Sequence, residues 1–212
     1  MVPFPARRLI GRLATAILVV VAFVAGVWLA RVPLLREAAS AWVVSDPVTP
    51  SDVAVVGELG PEMGSAAAAE LYKKGLVAKV LVPQFREMPT ALIGVLPSYT
   101  ELTRMALFKL QVPATDIETF GQAIESTKDE AASLRNWAEE HHVSRIIIPT
   151  DVFAARPVRW IFHREFAGSG VQVEVPSYGG PDYTLKTWWR TKAGVTDFNN
   201  EIIRYLYYRL KY

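Results

Sequence analysis

Cysteine is absent from this chain of 212 residues, and histidine occurs only three times. The missing cysteines exclude disulfide bridges, thiolate nucleophiles and cysteine-ligated zinc or iron–sulfur sites. His141, His142 and His163 are too few to build a histidine-rich metal site, and the sequence contains neither an HExxH pattern nor a Ser–His–Asp order. We therefore expect no metal site, and the residues identify no cofactor.

An excess of positive charge is confined to the start of the chain. Residues 1–31 contain four arginines and no acidic residue, whereas the rest of the chain has 19 basic and 21 acidic residues. Proteins that bind nucleic acid usually carry a surplus of basic residues over the binding domain. The near-neutral body therefore predicts that nucleic acid is not a partner.

One long apolar run stands out in the sequence. Residues 13–30, LATAILVVVAFVAGVWLA, carry no charge. As a helix they would span roughly 27 Å, close to the thickness of a membrane hydrocarbon core. Three arginines, Arg7, Arg8 and Arg12, precede the run, and Trp28 lies near its other end. The positive-inside bias then directs the N-terminus to the cytoplasm.

This pattern predicts a single-pass protein of the inner (cytoplasmic) membrane. Residues 1–12 would be cytoplasmic, 13–31 a transmembrane anchor, 32–51 a neck and 52–212 an extracytoplasmic domain. The alternative is a cleaved signal peptide, for which Ala39-Ser40-Ala41 has the required small-residue form. That site lies some ten residues beyond the apolar run, so the uncleaved anchor is the preferred interpretation.

Short apolar strands alternate with amphipathic helices from residue 52 onward. The pattern predicts strands at 52–57, 78–83, 115–120, 145–149 and 171–176, and helices at 61–74, 98–110, 126–142, 157–167 and 197–210. Repeated strand–helix units with continuous apolar strands are typical of a parallel sheet covered on both faces. We therefore expect a doubly wound, mainly parallel sheet in a three-layer αβα sandwich, with the first and fourth strands adjacent.

Ligands of such sheets bind beyond the carboxyl ends of the strands. Three segments qualify: Gly57-Glu58-Leu59-Gly60, Ser126-Thr127 with Glu130 one turn later, and Thr150-Asp151 with Arg156. Each has an ordinary structural alternative. The first could be a simple β-to-α turn, and the second a helix N-cap with an acidic first turn.

Arg156 is the candidate with the most informative chemistry. It directly precedes Pro157, so its backbone is expected to be extended rather than helical. Its guanidinium could then bind a phosphate or carboxylate with two hydrogen bonds. The alternative is a structural ion pair with Asp151 or Glu130.

Six segments occur in an order that can be compared with a known family. They are DVAVVGELG, AAAELYKKGLVAKVLV, YTELTRMALFKLQVP, STKDEA, IIIPTDVFAAR and EIIRYLYY. Together they cover residues 52–208, and this stretch resembles the ElyC/SanA/YdcF-like envelope proteins, a domain of unknown function. The resemblance implies a Rossmann-like domain, which in many members follows an N-terminal anchor, and it adds Glu101 to the candidate residues.

The chain departs from that family at three places, and one of them is the absence of the usual basic residue early in the first helix, around Met63–Ser65. Phe153 occupies the position of a family histidine, and Glu58 and Leu59 interrupt the family's glycine cluster. Because phenylalanine cannot transfer a proton, histidine-dependent chemistry is lost, and any catalysis would need Glu58, Glu130 or Asp151 as a base. The departures favour a protein without enzymatic activity, although the retained residues leave that question open.

Three functions are compatible with these residues. The first is a membrane-anchored extracytoplasmic protein of cell-envelope biogenesis that binds a small anionic or lipid-linked envelope precursor. The second is a non-catalytic scaffold or interaction protein of a membrane complex, and the third is a nucleotide-type binder inferred from fold analogy alone. For the first, the candidate ligand residues are Gly57, Glu58, Gly60, Glu101, Ser126, Thr127, Glu130, Thr150, Asp151 and Arg156.

Overall fold

A computed structural model describes residues 6–57 and 59–212, with side chains from residue 11 onward. The chain forms two units, an N-terminal helix and a compact domain that begins at Trp42. The helix, α1 (Ala6–Trp42), contains the predicted apolar run, and an 18-residue window within it has a mean hydropathy of 2.6. Of the helices in the described part of the chain, α1 alone is long and apolar enough to cross a membrane.

The domain contains seven strands and six further helices within the described residues. The strands are β1 (Ser51–Val55), β2 (Val77–Phe85), β3 (Ile117–Ile124), β4 (Arg145–Ile147), β5 (Thr150–Asp151), β6 (Gln172–Glu174) and β7 (Ser177–Tyr178). The helices are α2 (Gly60–Lys73), α3 (Pro89–Leu92), α4 (Tyr99–Lys109), α5 (Thr127–Glu140), α6 (Ala155–Glu165) and α7 (Lys192–Lys211), with short 3-10 turns at Ala114–Asp116 and Trp188–Arg190.

Five of the strands form one parallel sheet in the order β3-β2-β1-β4-β6. Val53 of β1 is paired with Lys79 of β2 on one side and with Ile146 of β4 on the other. The predicted adjacency of the first and fourth strands is therefore confirmed. The chain winds outward from β1 in one direction and then in the other, which is the doubly wound arrangement expected from the sequence.

Alternate residues of the strands supply two separate cores, one on each face of the sheet. Val53 and Val55 of β1 face one core, together with Leu134 of α5 and Phe162 of α6. Ala54 and Val56 belong to the other core, which includes small residues of α2 and Leu107 of α4. Because a strand directs successive side chains to opposite faces, continuous apolar strands produce the three layers that were predicted.

Local side-chain chemistry sets several helix ends. The Ser98 hydroxyl accepts a hydrogen bond from the Glu101 amide, and Glu101 in turn accepts one from the Ser98 amide, which forms the predicted capping box. At the end of α2, Gly75 has a φ of 68°, a left-handed conformation that glycine adopts without strain. Both signals were present in the sequence.

Three sequence expectations need correction. Arg156 is helical rather than extended, because α6 begins at Ala155 and Pro157 falls in its first turn, where a missing amide hydrogen costs no helical bond. The terminal helix α7 begins at Lys192, where Thr191 caps it, rather than at residue 197. The two-residue strands β5 and β7 were not predicted, since such short pairings leave no periodic pattern.

Candidate functional site

A cavity of about 420 Å³ lies where β1, β2 and β3 end. We refer to it as the strand-end cavity. Its lining comprises Gly57, Gly60, Phe85, Tyr99, Glu125, Ser126, Thr127, Glu130, Arg204 and Tyr208. Five of the predicted ligand residues therefore share one cavity: Gly57, Gly60, Ser126, Thr127 and Glu130. Glu58 lies outside the described residues, so its predicted role stays a prediction.

Gly57 and Glu130 approach each other closely at the inner end of the strand-end cavity. A Cβ atom placed on Gly57 would lie 2.6 Å from Glu130 Oε1. Glu130 is only 1% exposed, so its carboxylate has little room to move away. The Gly57 carbonyl also accepts a hydrogen bond of 2.8 Å from the Tyr99 hydroxyl. Glycine is thus needed at position 57 for a steric reason that the sequence alone did not reveal.

The N-termini of two helices reach the strand-end cavity. Gly60 begins α2, and Thr127, which is buried, begins α5. Ser126 caps α5, since its hydroxyl accepts a 3.2 Å hydrogen bond from the Asp129 amide and donates one of 2.7 Å to the Asp129 carboxylate. The structural interpretation of Ser126 as an N-cap is therefore confirmed. Both helix ends direct partial positive charge toward this region.

Arg204 is the one residue of the strand-end cavity that carries a full positive charge. It lies on α7, and its Nη2 atom is 2.6 Å from Glu201 Oε2 on the same helix. Arg204 was not predicted from the sequence, because it reaches the cavity only through the packing of α7 against the rest of the domain. The sequence signal was the Glu-x-x-Arg spacing, which places an acid and a base on one helix face. With Glu125 and Glu130 also present, the cavity holds groups of both signs.

Thr150 and Asp151 lie at a different place from the strand-end cavity. Thr150 is fully buried, and its hydroxyl donates to the Ile148 carbonyl. Asp151 lines a second cavity of about 230 Å³, together with Tyr183 and Asp197. Its Oδ1 atom accepts hydrogen bonds from the Phe153 amide at 2.9 Å and from the Tyr183 hydroxyl at 3.3 Å.

The surroundings of Asp151 shift its ionisation. Burial raises the pKa of the Asp151 carboxyl, and the negative charge of Asp197 raises it further, while hydrogen bonds from the Phe153 amide and the Tyr183 hydroxyl oppose the shift. Burial likewise raises the pKa of the Tyr183 phenol, with the charges of Asp151 and Asp197 adding to the effect. The aspartate therefore sits in an environment that disfavours its charged form.

Glu101 and Arg156 are also placed away from the strand-end cavity. Glu101 is exposed in its capping box, and hydrogen bonding from Ser98 lowers the pKa of its carboxyl. Arg156 donates from Nε to the Trp42 carbonyl at 2.7 Å, and its guanidinium lies 5.2 Å from the Trp42 ring. The structure thus gives Arg156 a main-chain acceptor, which neither sequence interpretation included.

Phe153, which the resemblance seen in the sequence aligns with a histidine, belongs to an aromatic core. It is fully buried, and its ring centre lies 5.4 Å from that of Tyr183, 5.8 Å from Trp188 and 5.0 Å from Phe198. These contacts join the segment that follows β5 to α7 and to the segment that precedes α7. Asp151 and Arg156 each line a cavity other than the strand-end cavity, although Leu59, which follows β1, lines the Asp151 cavity as well.

In residues 6–57 and 59–212, three or more histidine, aspartate or glutamate side chains nowhere come together in a way that could hold a metal ion. Comparisons of the chain with models of protein families, with curated proteins and with solved structures find no match.

Proposed function

We propose that this chain is a membrane-anchored extracytoplasmic protein of cell-envelope biogenesis and a divergent member of the ElyC/SanA/YdcF-like family. Its domain would bind a small anionic or lipid-linked envelope precursor in the strand-end cavity. The observation that carries this proposal is the convergence of Gly57, Gly60, Ser126, Thr127 and Glu130 with Arg204 around one cavity of about 420 Å³.

The location outside the cytoplasm is supported by α1 and by the charges that precede it. α1 is apolar enough to cross a membrane, and three arginines lie before its apolar run while acidic residues are absent there. Positive charge near a transmembrane helix favours the cytoplasmic side. The domain that follows would then be held at the outer surface of the inner membrane.

The charges of the strand-end cavity support a ligand of mixed character. Arg204 and the N-termini of α2 and α5 attract a phosphate or carboxylate. The carboxylates of Glu125 and Glu130 repel such a group but accept hydrogen bonds from hydroxyls. A precursor with an anionic group at one end and sugar-like hydroxyls at the other meets both requirements. Binding rather than catalysis is supported by Phe153, which replaces a histidine with an aromatic core residue.

The proposal is tested by purifying the full chain in a mild detergent and recording native mass spectra. We expect a bound anionic compound to remain with the wild-type protein. Gly57→Ala should reduce its occupancy severalfold, since the new methyl group would clash with the buried Glu130 carboxylate that lines the cavity. Gly179→Ala is the matched control, because its methyl group would meet only ordinary contact with Val152. Equal occupancy in Gly57→Ala and wild type would contradict binding at this cavity.

A scaffold or interaction role is the second candidate, and one observation favours it. Six apolar side chains of α3, α4 and their connection are more than half exposed: Leu92, Ile93, Val95, Leu96, Met105 and Phe108. Apolar surface of this extent is typical of a contact with protein or lipid. If this role were the main one, Ile93→Glu with Leu96→Glu would abolish function while Gly57→Ala would leave it intact.

A further inference from the structure

An open groove is formed mainly by side chains of α5, α6 and α7. Its volume is about 980 Å³. We call it the basic groove, because one acidic residue, Glu165, lines it against six basic ones: Lys128, Arg135, Arg156, Arg159, Arg164 and Lys211. A concentration of positive charge this strong is unexpected in a domain whose total charge is near neutral.

Acidic side chains neutralise only part of this charge. Arg135 forms an ion pair of 2.8 Å with Glu139, and Arg159 forms one of 2.9 Å with Asp46. Arg164 and Lys128 instead lie over aromatic rings, 5.5 Å from the centre of Trp160 and 4.6 Å from that of Tyr212. An aromatic ring holds a cation in place without cancelling its charge.

Besides Lys211, the α7 helix places Arg209 next to Trp160, one of the residues that line the basic groove. Arg209 lies 5.5 Å from the Trp160 ring and Lys211 lies 5.3 Å from the Tyr212 ring. The side chains of Arg164, Arg209 and Lys211 are exposed, so their charges face solvent and any approaching ligand. Exposed arginine and lysine beside tryptophan and tyrosine form the combination that proteins present to membrane headgroups.

The position of the basic groove along the chain indicates where its ligand would come from. Val44, which lines the groove, lies 13 residues beyond the predicted transmembrane segment, which ends at residue 31. If α1 crosses a membrane, the covalent connection keeps the domain within reach of the lipid surface. An anionic phospholipid is then the phosphate-bearing molecule at the highest local concentration.

We propose that the basic groove binds the phosphate groups of anionic phospholipids in the membrane that anchors the chain. This site is separate from the strand-end cavity, so it goes beyond the function proposed above. Arg164, Arg209 and Lys211 supply the attraction, and the aromatic rings keep their side chains extended toward the headgroup. Such binding would orient the domain on the membrane rather than leave it free on its neck.

The test uses the full chain in a neutral detergent, with binding followed by calorimetry. Dihexanoyl phosphatidylglycerol, which is anionic, is compared with dihexanoyl phosphatidylcholine, which is zwitterionic, and with inorganic pyrophosphate. We expect phosphatidylglycerol to bind at least about tenfold more tightly than phosphatidylcholine, with an affinity that falls as salt is raised. The double variant Arg164→Gln with Arg209→Gln should weaken this binding by about tenfold or more.

Two control variants make the result specific to the basic groove. Lys73→Gln with Arg104→Gln removes two exposed cations from other helices and should leave the affinity unchanged. Gly57→Ala, which alters the strand-end cavity, should also leave it unchanged. The proposal is overturned if the two lipids bind equally or if the groove variant binds like wild type. Two further results would overturn it. One is loss of phosphatidylglycerol binding in Gly57→Ala but not in the groove variant, and the other is binding of pyrophosphate but not of phosphatidylglycerol.

Discussion

The Nε atom of Arg156 donates a hydrogen bond of 2.7 Å to the main-chain carbonyl of Trp42. Trp42 is the first residue of the compact domain, and its indole nitrogen donates to the Phe153 carbonyl at 2.9 Å. Two hydrogen bonds therefore connect the first residue of the domain to the segment at the start of α6. Arg156 has a structural partner, and at the same time its side chain lines the basic groove.

This contact predicts that Arg156→Ala destabilises the domain. Loss of a charged hydrogen bond and of the contact with the Trp42 ring should lower the free energy of unfolding by about 1–2 kcal/mol. The melting temperature, followed by tryptophan fluorescence of the full chain, should then fall by roughly 2–8 °C. Arg164→Ala, which removes an exposed arginine of the same helix, is the control and should change it little. An unchanged melting temperature for Arg156→Ala would show that the contact contributes nothing.

A histidine at position 153, as in the family that the sequence resembles, should destabilise this protein. In Phe153→His, an imidazole would replace a fully buried ring packed against Tyr183, Trp188 and Phe198. The loss of apolar packing and the burial of a polar ring should cost about 3 kcal/mol, or roughly 6–12 °C in melting temperature. Phe153→Leu keeps the site apolar and should cost less. A Phe153→His protein as stable as wild type would refute the core role of this residue.

Variants of the two serines that cap α4 and α5 can distinguish a structural role from a ligand-binding role. Ser98 and Ser126 both accept a 3.2 Å hydrogen bond from a first-turn amide, but only Ser126 lines the strand-end cavity. Ser98→Ala and Ser126→Ala should each lower the free energy of unfolding by about 1 kcal/mol. Only Ser126→Ala should also reduce the occupancy of the bound compound in native mass spectra. Equal occupancy in the two variants would limit Ser126 to capping.

The raised pKa of Asp151 predicts that removing its charge stabilises the domain by an amount that depends on pH. Burial raises the pKa of this carboxyl in the folded state above its pKa in the unfolded chain. Ionisation of Asp151 therefore destabilises the domain as the pH rises from the unfolded-state pKa through the folded-state pKa. Asp151→Asn removes this destabilisation, and its side-chain carbonyl can still accept the hydrogen bond from the Phe153 amide. The variant should melt on the order of 1–3 °C above wild type at pH 7 and show a smaller difference at pH 4. A larger gain at pH 4 than at pH 7 would reverse the predicted sign.

The fold was predictable because its signals are local and periodic. Apolar runs such as residues 145–149, a capping box at Ser98 and a glycine after α2 each act within one element. Five of the ten candidate residues came together because strand ends meet at one edge of a parallel sheet. That argument required only the order of the elements.

The remaining site residues depend on contacts between distant parts of the chain. The acceptor of Arg156 lies 114 positions earlier, at Trp42, and Arg204 reaches the strand-end cavity through the packing of α7. The basic groove could not be predicted from the sequence for a different reason. A near-neutral total charge says nothing about how charge is distributed, and α5, α6 and α7 gather cations that are spread over residues 128–211.

The proposed placement of the domain outside the cytoplasm is the central claim, since the proposed envelope role depends on it. Two reporters fused after Tyr212 test it directly, one active only outside the cytoplasm and one active only inside. We expect the external reporter to be active and the internal reporter to be silent, in membranes from which the full-length fusion is recovered. Strong activity of the internal reporter with a silent external one would contradict the account.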